Sequence, residues 1–290
     1  MIIDIHNHPD YHGYNPEKML RNMDEQGIDI TCILSLEGIP IEHDPKTKHA
    51  FTPFSDKWVP FERCIAYKDK APDRFLLGYT PDPRFPDAIE MLSGVIDLYD
   101  ICMCGELKAR MMYDNRDAIR LYRFCGQKGL PVLMHFDYEY ITGTYPWPNY
   151  WYGGGIDVLE RVLAECPETN FICHAPGFWV HISNDEQYKT NRYPKTPVVP
   201  GGKIEVLLEK YPNLYCDISA GSGHNALNRD HDHARKFLET WQDRILFGRD
   251  YFDGIHQELL KNLSLPIAIL DKIYTNNARR ILRNGDKIKL

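Results

Sequence analysis

Apolar residues fall into eight short runs, at positions 2–5, 30–34, 75–78, 101–108, 131–135, 170–173, 214–218 and 245–247. Each is strand-sized, rich in β-branched or aromatic residues and little interrupted by polar ones. That is the pattern of parallel strands covered on both faces. Between the runs the spacing changes to that of amphipathic helices, over 16–26, 60–71, 86–99, 116–127, 156–165, 203–210, 230–241 and 266–283. Several open on a proline (Pro16, Pro60, Pro86 and Pro266), which suits the first helical turn.

Eight alternating strand–helix units predict an α/β fold, a (β/α)₈ TIM barrel forming one domain over residues 1–290. A doubly wound open sheet would carry a Gly-rich phosphate turn after its first strand, whereas here HNHPD follows. Three long connections, 36–59, 136–155 and 175–202, each follow a strand and so belong to the catalytic face, where long loops bind or cover ligands. The second carries Tyr138, Tyr140, Tyr145, Trp147, Tyr150, Trp151 and Tyr152, a set suited to a wall over an organic substrate or to a subunit interface.

Composition narrows the function classes. A net charge of -7 with no basic stripe argues against nucleic acid. The apolar runs are far shorter than the ~20 residues of a membrane helix. The opening MIIDIHNHPD has no basic leader, so a cytoplasmic protein is expected. The eight cysteines then read as reduced, packed thiols. Cys102 and Cys104, two apart on one strand, are expected to share a face.

The barrel reading says where to look for chemistry, because catalytic groups come from the C-terminal ends of barrel strands. His6 and His8 end the first run, and period-two alternation sends both imidazoles to the same side. His135 ends the fifth, His174 follows the sixth and Asp250 follows the eighth. Imidazoles joined by a carboxylate form a borderline-hard donor set, suited to Zn²⁺ and also to Mn²⁺, Fe²⁺ or Co²⁺. On the fourth run Glu106 and Lys108 alternate onto one face, either as a buried pair or with Glu106 as a further ligand. His231 and His233 repeat the HxH spelling at a helix start, where residues two apart diverge and cannot share an ion. Arg84, Arg110 and Arg249 follow strand ends and are candidates to hold a substrate carboxylate, with ion pairing to neighbouring acids as the alternative for each. Trp147 is a candidate substrate contact from the aromatic loop.

The segments IDIHNHP, PVLMHFD, ICHAPG, NLYCDISAG, ILFGRDYF and YTNNARRIL resemble, in order and over essentially the whole chain, the signatures of the amidohydrolase-related family. This branch contains aminocarboxymuconate-semialdehyde decarboxylase and related TIM-barrel hydrolases. The resemblance implies that His6, His8, His135 and Asp250 hold a catalytic metal. It makes His174 an acid/base or polarising group, or a ligand if two metals bind. Two departures are Arg249, where many relatives carry a small residue, and GELK on the fourth run, which leaves metal number open. The expected function is hydrolysis of an amide or lactone bond in a small, carboxylated substrate by metal-activated water, with Asp250 moving the proton. Decarboxylation of an aromatic or muconate-type acid is the alternative, and a non-catalytic metal-binding barrel is a third reading. Barrels of this type frequently form homo-oligomers, an expectation that the surface pattern does not refine.

Overall fold

The computed structural model describes residues 1–37, 59–138 and 153–288. Eight parallel strands pair in sequence order: β1 (Ile3–Asn7), β2 (Ile30–Leu34), β3 (Phe75–Gly78), β4 (Ile101–Leu107), β5 (Val132–His135), β6 (Phe171–His174), β7 (Leu214–Asp217) and β8 (Ile245–Leu246). The ring is drawn together where Ile5 N donates to Phe247 O at 3.0 Å and Asp250 N donates to His6 O at 2.8 Å. The TIM barrel expected from the alternation is therefore the fold.

Helix boundaries follow the sequence signals closely. Pro16–Gln26 starts on Asn15, whose side chain accepts from Lys18 N, and ends on Gly27 at φ 65°. Arg116–Gln127, Ile156–Glu165 and Lys203–Lys210 stand where the periodicity places them. Two further helices, Ala220–Asn228 and Ile255–Asn262, occupy stretches whose small and polar residues hide the apolar period. Asp230 caps His231–Thr240 by accepting from His233 N, so the second HxH opens a helix, as expected.

The core has two layers. One lies between strands and helices. The other fills the barrel interior with Ile3, Ile5, Cys32, Leu34, Cys102, Leu133, Ile172 and Leu246, and is joined at the N-terminal end by Ile281, Leu282 and Ile288.

Strict alternation fails at two strands, with consequences for the site. β1 holds one residue more than β2 between Asp4 and Asn7. Ile5 and His6 therefore both serve the interior, while Asp4 turns out towards the helix Pro16–Gln26. β4 holds an extra residue against β3 between Ile101 and Met103, and another against β5 between Cys104 and Leu107. The first shift overturns the expectation for the CxC pair. Cys102 packs inside, 3.8 Å from Cys32 Sγ, whereas Cys104 lies in the outer layer, 3.5 Å from Thr80 Oγ1. Among the described residues, no helix is long and apolar enough to cross a membrane.

Candidate metal centre

The C-terminal mouth of the barrel gathers His6, His8, Glu106, His135, His174 and Asp250. The first three and His174 are at most 3% exposed, His135 is 11% exposed and Asp250 19%. His6 Nδ1 donates to Asp217 Oδ2 at 2.8 Å, and His8 Nδ1 donates to the Leu34 carbonyl at 2.9 Å. A carbonyl and a carboxylate only accept, so both Nδ1 atoms carry the proton. In the neutral rings the two Nε2 atoms therefore present lone pairs inward, and they stand 3.2 Å apart.

Carboxylates complete the ring of donors. Glu106 Oε2 is 3.1 Å from His8 Nε2, and Asp250 Oδ1 is 3.8 and 3.7 Å from the Nε2 atoms of His6 and His8. Glu106 Oε1 accepts from His135 Nδ1 at 2.8 Å and from His174 Nε2 at 2.7 Å. Two triads, His6/His8/Asp250 and His6/Glu106/His174, have ligand atoms all within 4.8 Å of one another. Two Nε2 atoms facing each other beside two carboxylates need a proton or a cation between them, so the donor set fits a divalent metal. His6, His8, Glu106, His174 and Asp250 are brought together, and His135 reaches the centre through Glu106.

The electrostatics agree. Burial alone would lower the His6 pKa, but the carboxylates of Asp250, Asp217 and Glu106 outweigh it and hold the ring well above the usual imidazole range. Burial lowers His174, as does the neighbouring His6, and Glu106 only partly restores it. His135 is lowered by burial and by Lys108. Burial would raise Glu106, yet hydrogen bonds from His135 and His174 keep it well below the ordinary carboxylate range. The centre attracts positive charge, which a bound cation supplies.

A family model described as amidohydrolase matches residues 3–283. The chain belongs to the amidohydrolase family. No curated protein matches its sequence. Solved amidohydrolase-like barrels share the fold at low identity. A dihydroxybenzoic acid decarboxylase from a Polaromonas species, with bound manganese and the inhibitor 2-nitroresorcinol, superposes with a TM-score of 0.61 at 16% identity, over 100% of this chain and 98% of that one. A 5-carboxyvanillate decarboxylase from Sphingomonas paucimobilis gives 0.60 at 15%, over 93% and 84% of the two chains. A probable 2-pyrone-4,6-dicarboxylic acid hydrolase from Acinetobacter baumannii, with citric acid bound, gives 0.59 at 10%, over 97% and 98%. The amidohydrolase assignment makes this chain an enzyme.

The arginine expectations fare differently. Arg249 is fully buried behind the barrel wall of this amidohydrolase, not at its mouth. Its Nε donates to Asp4 Oδ2 at 2.8 Å and its Nη1 to Asn22 Oδ1 at 2.9 Å, so the reading of Arg249 as a substrate contact is corrected. The reason is the shift in β1, which turns Asp4 outward and leaves a buried carboxylate needing a cation. Arg84 forks onto buried Asp82, with Nε 2.8 Å from Oδ1 and Nη2 2.5 Å from Oδ2, so the ion-pair alternative describes it. Arg110 is half-buried just beyond β4. Trp147 lies outside the described residues.

Asp217, at the end of β7, is the site residue that the sequence reading missed. Its buried carboxylate accepts from His6 at 2.8 Å and from Ser219 Oγ at 2.6 Å. The available signal was its place: an acid ending a barrel strand, in LYCD.

Proposed function

We propose that this protein is a metal-dependent hydrolase that cleaves an amide or lactone bond (C–N or C–O) in a small, carboxylated organic substrate. The observation that carries the reading is the pair of inward-facing Nε2 atoms of His6 and His8, 3.2 Å apart and flanked by Asp250 and Glu106. A divalent cation, with zinc the proposed ion and manganese, iron or cobalt compatible, would be held by His6, His8 and Asp250. Glu106 and His174 offer a second position, with His135 alongside. Such an ion supplies Lewis-acid activation of water and of the substrate carbonyl.

The remaining work belongs to the chain's own groups. Asp250 is the most exposed of the two centre carboxylates, so it is placed to take a proton from water and return it to the leaving group. His174, buried and hydrogen-bonded to Glu106, would steady charge that develops on the substrate oxygen once Glu106 turns to an ion and leaves the His174 Nε2–H free. Lys108 and Arg110, half-buried just past β4, give the mouth a positive side that suits a carboxylated substrate.

Decarboxylation is the second reading, and the fold-sharing decarboxylases of hydroxylated aromatic acids, one of them with manganese, support it equally. One experiment separates the two. The zinc-loaded protein and its Asp250→Asn variant are given lactones, amides and hydroxybenzoates, with acid release and CO₂ release followed in parallel. The hydrolase reading expects acid release from a lactone or amide, lost in Asp250→Asn with metal retained. CO₂ from an aromatic acid, with no hydrolysis, replaces it with the lyase reading. A wild-type protein that takes up no ion overturns both.

A further inference from the structure

Behind His6, away from the centre, the end of β7 and the turn after β8 form a small closed assembly. Asp217 is fully buried and its carboxylate is gripped by three donors: Ser219 N to Oδ1 at 2.9 Å, Ser219 Oγ to Oδ2 at 2.6 Å and His6 Nδ1 to Oδ2 at 2.8 Å. The carboxylate fits only because residue 248 has no side chain. A Cβ on Gly248 would stand 2.4 Å from Asp217 Oδ1 and 3.0 Å from the His6 Cβ. The same turn supplies Asp250, whose N–H binds the His6 carbonyl. Ser219 Oγ lies 3.3 Å from His6 Nδ1 and 3.5 Å from His174 Nδ1, so the assembly backs both triads.

We infer that Asp217, seated against Gly248, is the positioning residue of the centre: it holds His6 in the Nδ1–H tautomer with Nε2 facing the metal. The physical argument is directional. A neutral imidazole places its proton on either nitrogen, and only the Nδ1–H form leaves an inward lone pair. A buried carboxylate on Nδ1 selects that form and makes Nε2 a stronger donor, and outer carboxylates on ligand histidines typically contribute about 10–100-fold to metal affinity. A purely structural buried acid would need no alignment with a ligand nitrogen. Asp217 has that alignment, and Gly248 is the residue that permits it. The inference rests on the metal-centre reading, but its first readout does not require an ion.

Three variants test it. Asp217→Ala removes the acceptor, Gly248→Ala displaces it without removing it, and Asp217→Asn keeps an acceptor oxygen while losing the charge. The first readout is ¹⁵N NMR of histidine-labelled, metal-free protein at alkaline pH. Wild type is expected to show His6 protonated at Nδ1, as is Asp217→Asn, whereas Asp217→Ala and Gly248→Ala move the proton to Nε2. The second readout is zinc affinity by chelator competition. Asp217→Ala and Gly248→Ala are expected to fall by about 10–100-fold, and Asp217→Asn by less. Far-UV circular dichroism confirms folding, and Asp217→Asn, being isosteric, preserves a testable protein if the alanine variants do not fold. An Nδ1–H tautomer retained in Asp217→Ala, or zinc affinity within about twofold of wild type, overturns the inference. If wild-type protein binds no zinc, the metal-centre reading fails, while the tautomer result still decides the role of Asp217.

Discussion

The Nε2 atoms of His6 and His8 face each other at 3.2 Å, while both Nδ1 atoms are committed to acceptors behind them. Two neutral imidazoles locked in this way cannot hydrogen-bond to one another, so either a proton on His6 or a metal cation must lie between them. His8→Ala and His6→Ala are each expected to weaken zinc binding by more than the 10–100-fold that an outer partner contributes. Equilibrium dialysis measures it. Unchanged zinc content in both variants would refute the centre.

Glu106 links the halves of the site, accepting from His135 and His174 through one oxygen while the other faces His8. Glu106→Gln replaces a charged acceptor with a neutral amide; because the two triads share the single inward Nε2 of His6, the ion on His6, His8 and Asp250 is expected to stay while an ion held by Glu106 and His174 is lost. Elemental analysis should then show a loss of about one metal equivalent in the variant. Equal metal content in the two proteins assigns Glu106 to holding histidines rather than metal.

Arg249 and Asp4 form an ion pair in which neither side chain is exposed. Breaking one side of a buried pair leaves the other charge desolvated, so Asp4→Asn is expected to cost about 3–5 kcal/mol of stability. Denaturant unfolding measures that cost. A variant such as Arg249→Met that keeps its stability but raises KM for carboxylated substrates would return Arg249 to the substrate side.

His181 is buried on the loop after β6, and burial lowers its pKa from 6.5 to about 4. Between those values the unfolded chain binds more protons than the folded one. Stability is therefore fully present above about pH 6.5 and falls as pH drops towards 4, by up to about 3 kcal/mol. Thermal melts from pH 4 to 7 should show this slope in the wild type and a shallower one in His181→Asn. Parallel slopes would discount His181.

All eight cysteines are buried and unpaired. Burial raises the thiol pKa of Cys32, Cys64, Cys173 and Cys216, which suppresses the reactive thiolate. Ellman's reagent is expected to react only after unfolding, with all eight thiols appearing together. Rapid native labelling of Cys102 or Cys104 would contradict the packing described.

The sequence by itself determined the barrel and picked out most of the residues that the barrel mouth gathers. Eight apolar runs alternating with helical periods leave little choice of fold, and a barrel exposes the C-terminal ends of its strands, so His6, His8, His135, His174 and Asp250 could be picked out one strand at a time. What it could not determine is where alternation breaks. The extra residues in β1 and β4 answer to pairing with neighbouring strands, which no local period records. Those shifts alone decide that His6 turns inward beside Ile5, that Cys102 and Cys104 part, and that Asp4 buries itself with Arg249. Asp217 and His6 are 211 residues apart and meet because the ring brings β7 and β8 round to β1. Local chemistry placed the candidate ligands, and closure of the barrel chose which acids and cations stand behind them.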